Sequence, residues 1–233
     1  MSRKLAISDI HGHAKTLESL LDRIAFTQAD ELFLLGDYID RGPDSKGVID
    51  LIRRLQATGY QVHALRGNHE QMMLAHRREP CIEPGMSYMD APTLASFGAK
   101  DILEIDQSYF DWLEKLPHFL EIDGFLLAHA GLNFGPESPG PDLDLKSMLW
   151  IRDWYHTIDR AWLEGRIIIH GHSPVKSQVI DWFFQKMDIM QVLNIDNGCF
   201  QRNSEGFGSL CCLDMTNRRI CFQSNVEVPI ADF

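Results

Sequence analysis

Five apolar runs in this sequence end in side chains that can hold a cation. The run at 5–8 is followed by Asp9 and His11, the run at 32–36 by Asp37, and the run at 63–67 by Asn68 and His69. The run at 125–128 ends in His129, and the run at 166–171 in His172. Asp, Asn and His donors without a cysteine suit Mn²⁺, Fe, Zn²⁺ or Mg²⁺ and exclude a soft thiolate site. Asp9 and His11 stand two apart, which in extended chain puts both side chains on one face, where they can share an ion. Six donors exceed the needs of one catalytic metal. Two divalent ions roughly 3.5 to 4 Å apart, bridged by a carboxylate, form a clamp for in-line displacement at phosphorus. Asp37 is the natural bridge, with Asp9 and His11 completing one site and Asn68, His129 and His172 the other. The loaded site would carry positive charge although the chain as a whole is at −11, so a phosphate would be drawn in only with metal present. The segment at 36–42 holds a second acid, Asp40, and a guanidinium, Arg41, which the donor pattern leaves unexplained.

The elements that must position these residues follow a strand-then-helix order. Strands are predicted over 4–8, 31–35 and 61–66. Leu17, Leu20, Leu21 and Ile24 make a helical stripe after the first, and Val48, Leu51, Ile52 and Leu55 make another that Gly59 closes. Residues 70–79 are again helical in character. This alternation predicts an α/β layered fold with parallel pairing in its first part. The second half reads as short strands over 118–123, 124–130, 166–170, 191–196, 208–215 and 218–224, with few helical stripes between them. Two packed sheets flanked by helices accommodate both halves. In such sheets ligands bind at the carboxyl ends of strands, so donors distant in sequence can converge on one crevice. The stretch 78–100, rich in Pro, Gly and Met, reads as either a helical cap or a mobile lid.

A length of 233 residues suits one domain spanning the chain. The net charge of −11 disfavours nucleic acid and anionic membrane surfaces as partners. No apolar run reaches the roughly 18 to 20 residues that span a bilayer, and the basic pair near the start is not followed by a sustained apolar stretch. The expectation is a soluble, unsecreted, cytoplasmic protein. Cys81, Cys199, Cys211, Cys212 and Cys221 are odd in number and lack C-x-x-C spacing, so they read as reduced core residues.

The ordered motifs D-I-H-G (9–12), G-D-Y-I-D-R-G (36–42), G-N-H-E (67–70), H-A-G (129–131) and G-H-S-P (171–174), with I-D-N-G at 195–198, resemble the phosphoprotein phosphatase family within the calcineurin-like metallophosphoesterases. The small bacterial and phage members look most similar. Ser8, Ala130 and Ser173 depart from the family's usual residues without removing a donor. The resemblance implies a β-sandwich of two mixed sheets flanked by helices. It implies two divalent ions, Mn²⁺ foremost with Fe, Zn²⁺ or Mg²⁺ as alternatives, and direct attack by a metal-bridging hydroxide without a phosphoenzyme. His69 matches the family's general acid and Asp40 the carboxylate that holds its imidazole charged, which accounts for the second acid at 36–42. Arg41, Arg152 and Asn68 match residues that hold the phosphate. The implied activity is a serine/threonine protein phosphatase with phosphoprotein or phosphopeptide substrates. Symmetrical dinucleoside tetraphosphate hydrolysis is the alternative, and a non-catalytic binding module a third reading. His170 has His-x-His spacing with His172 and is left open as a donor; Asp196 is left open between turn and site. His13, His63, His76, His118 and His156 read as surface or satisfied core, and Arg66 as a salt-bridge partner.

Overall fold

Strand–helix repeats build the first half: β1 (Lys4–Ile7), α1 (Ala14–Arg23), β2 (Glu31–Leu34), α2 (Ser45–Ala57), β3 (Gln61–Ala64) and α3 (Asn68–Arg78). They are seen in a computed structural model that describes residues 2–79, 90–138 and 140–228. β1 runs parallel to β2 and β2 to β3, with Ile7 opposite Leu34 and Leu34 opposite Ala64, as the crossover helices require. α2 starts where Asp44 caps it, the carboxylate accepting from the Gly47 amide at 2.8 Å. β8 (Ser209–Asp214) pairs antiparallel with β1, and β9 (Arg219–Ser224) antiparallel with β8, giving the order β3-β2-β1-β8-β9. The second sheet has the order β4-β5-β6-β7, formed by β4 (Phe119–Ile122), β5 (Phe125–Ala128), β6 (Ile167–His170) and β7 (Val192–Asn194). β4 is its antiparallel edge and the other three strands are parallel.

Both sheets are mixed, and the pleat explains their apolar runs. Leu5, Ile7, Leu32 and Leu34 turn outward onto Leu17, Leu20, Val48 and Ile52 of α1 and α2. Ala6 and Phe33 turn the other way, onto Leu127, Ile169 and Leu193 of the second sheet. Leu126, Ile168 and Val192 face away again, toward Met148, Trp154 and Leu163. Strands covered on both faces must be apolar at every position, which is why they read as unbroken runs.

The second half holds more helix than the sequence pattern predicts: α5 (Gln107–Glu114), α6 (Leu145–Trp150), α7 (Arg160–Leu163), α8 (Ser177–Gln185) and α9 (Met187–Met190). Helices this short complete too few turns for a 3.6-residue stripe to emerge. The starting signal of α5, α6 and α7 is the cap: Asp106, Asp144 and Asp159 accept from the Ser108, Ser147 and Ala161 amides. Of the stretch 78–100, residues 80–89 lie outside the described residues. Its end forms α4 (Ala91–Ser96), fixed to α2 by Ser45 Oγ and Thr93 Oγ1 at 2.9 Å and by the Lys46 amide donating to Ser96 Oγ at 3.1 Å. Cys199, Cys211 and Cys212 are buried thiols and Cys221 is partly buried; Cys81 lies outside the described residues. Among the described residues no helix is long and apolar enough to cross a membrane.

Candidate metal centre and phosphate cleft

The donors gather where strands of the two sheets end on one side. Past β1 and β2 the parallel ladder continues into the loops, the Asp9, His11 and Gly12 amides donating to the Gly36, Asp37 and Tyr38 carbonyls at 3.2, 2.8 and 2.8 Å. Asp9, His11, Asp37, Asp40, Arg41 and His172 all have positive φ, between 48° and 70°. Such backbone costs of order 1 kcal/mol or more at each non-glycine residue, and its concentration at one edge marks a built site. It also corrects the sequence reading: Asp9 and His11 are turned toward the edge by left-handed backbone, not by the pleat of an extended strand.

Asp37, His129 and His172 form one group of converging ligand atoms, and His11, Asp37 and His69 a second, so Asp37 is common to both. His129 donates Nδ1–H to the Leu35 carbonyl at 2.9 Å, which leaves a bare lone pair on Nε2. That lone pair faces Asn68 Oδ1 at 2.9 Å, His172 Nδ1 at 3.2 Å and Asp37 Oδ1 at 3.4 Å. His172 Nδ1 and Asn68 Oδ1 are themselves 2.9 Å apart. The other nitrogen of His172, Nε2, is buried without a partner, and a cation held by Nδ1 would require the ring proton to sit there. His11 repeats the arrangement, with Nδ1 on the Ile39 carbonyl at 2.8 Å and Nε2 3.5 Å from Asp37 Oδ2. Acceptors crowded face to face are what a cation relieves, and an oxygen and nitrogen donor set fits a divalent ion of the Mn²⁺, Fe, Zn²⁺ or Mg²⁺ kind. Burial lowers the pKa of His11, His129 and His172, the last to about 2, which keeps the rings neutral and able to ligate. Burial also raises Asp9 and Asp37 to about 6, a cost that bound cations would remove. Asp9 is oriented by the His172 amide, which it accepts at 3.1 and 3.0 Å on its two oxygens.

His69 stands apart from the other rings in its hydrogen bonding. Its Nδ1 is 2.6 Å from Asp40 Oδ2. Burial by itself would lower its pKa, but the Asp40 bond and the charges of Asp37, Asp40 and Glu70 prevail and raise it to about 9. Its Nε2 lies 3.9 Å from Asp37 Oδ2, beside the cleft. That cleft, of about 250 Å³, is lined by Asp37, Asn68 and His69 together with both Arg41 and Arg152. The Arg41 guanidinium lies 4.5 Å above the Phe200 ring, and Arg152 Nη1 donates to Ser173 Oγ at 2.7 Å.

The residues assigned to the site from sequence lie at this edge, Asp9 standing outside both converging groups of ligand atoms, and the open cases are decided. His170 is not a donor to the centre: it accepts the Tyr155 hydroxyl on Nε2 at 2.6 Å and gives Nδ1–H to the Gly171 carbonyl at 3.0 Å. Asp196 is both turn and site, accepting the Gly198 amide at 2.7 Å and lining the cleft. Arg66 bonds the Gln71 side chain at 3.0 Å and the Glu114 main-chain carbonyl at 2.6 Å, in place of the expected salt bridge. His13 is a satisfied core residue, 2.8 Å from the Ile10 carbonyl. Sequence reasoning gave no role to Glu70, which is fully buried and accepts the Asp37, Tyr38 and Gly67 amides at 2.8 Å each. Its signal was available, since it is the fourth residue of the G-N-H-E motif. Thr93 was also missed; its hydroxyl donates to Asp40 Oδ1 at 2.9 Å from 53 residues away, and no local pattern announces it.

The calcineurin-like phosphoesterase family matches residues 2–197. A symmetrical bis(5'-nucleosyl)-tetraphosphatase of Erwinia tasmaniensis is 33% identical over 132 residues, which are 54% of this chain and 43% of that protein. The chain thus spans less than half the length of that relative. Serine/threonine-protein phosphatase 1 of Salmonella typhimurium is 28% identical over 204 residues, covering 82% of this chain and 84% of that one. Among solved structures, a protein serine/threonine phosphatase from Saccharomyces cerevisiae covers 98% of this chain and 82% of its own, with a TM-score of 0.67 and 17% identity.

Proposed function

The chain is a calcineurin-like phosphoesterase, and from that premise we propose that it is a metal-dependent phosphomonoesterase acting on phosphoserine or phosphothreonine in proteins. The observation that carries this reading is the His69–Asp40 pair at 2.6 Å, which opens on the same cleft as the converging donors. The alkoxide of serine or threonine is a poor leaving group, so a proton delivered as the P–O bond breaks is worth about 10²- to 10⁴-fold in rate. In this reading His69 Nε2–H donates to the departing oxygen, and Asp40 holds the imidazolium in place. Asp9, His11 and Asp37 would hold one divalent ion, and Asp37, Asn68, His129 and His172 the other. Bound there, the ions would polarise the phosphoryl oxygens and furnish a hydroxide nucleophile near neutral pH. Arg41 and Arg152 present planar, two-pronged donors to the peripheral oxygens. Arg41 already rests on Phe200, so it loses less freedom on binding.

The Erwinia relative supports a second reading, hydrolysis of dinucleoside tetraphosphates, through its 33% identity. The protein phosphatase of Salmonella is matched over 84% of its length, which favours the first. A nucleoside diphosphate is also a stable anion that departs without strong protonation, so it makes less use of the acid that this site prepares.

The test is phosphate release from a phosphoserine peptide by chelator-stripped protein, with and without Mn²⁺, with His69→Ala as the control. Turnover that requires metal and falls about a hundredfold or more in the variant is the expected result. Turnover of dinucleoside tetraphosphates alone would move the assignment to the second reading, and inertness toward all phosphoesters with metal present would overturn both.

A further inference from the structure

A second cavity, of about 450 Å³, opens beside the phosphate cleft where β5, β6 and β7 end, between Ala130, Ile151, Trp154, Tyr155, Val175 and Asn194. Arg152 lines both spaces, so a group seated in the second lies next to a phosphate held in the first. The inner walls are aromatic and aliphatic, and their buried polar atoms are already paired inside the protein, while Arg152, Asp153 and His156 stand exposed at the mouth. The Tyr155 hydroxyl donates to His170 at 2.6 Å, and Trp154 Nε1–H to the Ala130 carbonyl at 3.2 Å. Asn194 uses both ends of its amide, donating to the Ser173 carbonyl and accepting from the Asp196 amide, each at 2.8 Å.

That saturation selects among occupants. A nucleobase seated against the inner walls would lose water from ring nitrogens and exocyclic groups that only the exposed Arg152, Asp153 and His156 at the mouth could pair, which is unfavourable. An aliphatic or aromatic side chain carries none, and gains contact area alone. Behind the cavity Tyr155 packs on Phe183 of the core at 5.5 Å, and Phe183 on Trp182, which is 44% exposed, at 4.9 Å. We propose that the cavity is the subsite for an apolar side chain flanking the phosphorylated residue of a peptide substrate, an inference that rests on the protein-phosphatase reading.

The experiment compares kcat/KM of the Mn²⁺-loaded protein on phosphoserine peptides that are glycine throughout except at one flanking position, which carries Leu, Phe, Asp or Lys. Symmetrical dinucleoside tetraphosphate is assayed alongside. Val175→Phe, which fills the cavity, and His156→Trp, at its exposed rim, are run on the same series. At one position Leu or Phe should exceed Gly and Asp by about tenfold, and both variants should bring that ratio to within about twofold of unity. The ratio is internal to each protein, so a loss of folded material cancels. A flat series in the wild type, or variants that keep the wild-type ratio, overturns the subsite while leaving the phosphatase reading standing. Peptides that are all inert while the tetraphosphate turns over would overturn that reading and the subsite with it.

Discussion

Asp40 divides its carboxylate between two partners, Oδ2 facing His69 Nδ1 at 2.6 Å and Oδ1 accepting the Thr93 hydroxyl at 2.9 Å. The Thr93 oxygen in turn accepts the Asp40 amide at 3.1 Å, so the hydroxyl fixes the carboxylate from both ends of the residue. With Thr93→Val the carboxylate keeps its charge but loses that restraint, and His69 is held less well for proton delivery. kcat on an alkyl phosphomonoester should fall about tenfold, with a smaller loss on p-nitrophenyl phosphate, whose leaving group needs little protonation. Thr93→Ser should restore most of the loss. Equal losses on both substrates would show that Thr93 matters only to folding. Glu70 is the other buried acid with a defined task, gathering three amides from two loops. Burial and the charge of Asp37 raise its pKa to about 7 while the three donors act against that shift. Glu70→Gln replaces an acceptor oxygen with an NH₂ that faces an amide, so unfolding in urea should require about 2 to 4 kcal/mol less. A change below about 0.5 kcal/mol would mean that the loops hold each other without it.

Between elements, the site depends on close approach at glycines. The loop after β6 lies against the loop after β1, and a Cβ at Gly171 would sit 1.9 Å from Asp9 Oδ2 and 2.5 Å from Ser8 Oγ. Gly171→Ala should therefore displace the Asp9 carboxylate while leaving β6, whose core contacts lie elsewhere, folded. Metal analysis of the purified variant should show about one equivalent fewer than wild type, with a largely unchanged circular dichroism spectrum. Full metal content in Gly171→Ala would remove Asp9 from the proposed ligand set. Gly131 is constrained in another way, its missing side chain making room for the Trp154 ring, which a Cβ would meet at 2.2 Å. That contact seats the aromatic wall of the second cavity against the H-A-G loop.

At the scale of the whole molecule, an acidic chain with a net charge of −11 buries Asp9, Asp37 and Asp196 at one edge, and burial raises the pKa of each. Ions that bind only the folded state stabilise it by mass action, about 2.7 kcal/mol at a hundred times Kd for one site. For a chain of this size that corresponds to a rise in Tm of about 5–10 °C. Thermal melts of chelator-stripped protein with and without Mn²⁺ should show it, and Asp37→Asn, which alters the shared donor, should lose most of it. A Tm indifferent to metal in the wild type would count against a metal centre at this edge.

The sequence by itself determined the class of fold and named the residues proposed to do its chemistry. β1, β2, β5 and β6, buried on both faces, are nearly unbroken apolar runs with donors directly after them, whereas β3, which Asn68 follows, alternates exposed and buried residues. The strands of both sheets and the three helices that follow the first three strands were legible for the same reason, since stripes and apolar runs are local signals. Tertiary structure alone decided the relations that depend on distant chain segments meeting. It turned Asp9 and His11 by positive φ, bound His170 to Tyr155 and away from the centre, and set Thr93 behind Asp40. It also built a second cavity beside Arg152. A motif records which side chains are present, but hydrogen-bond partners tens of residues away are fixed only when the sheets pack and bring their strand ends together.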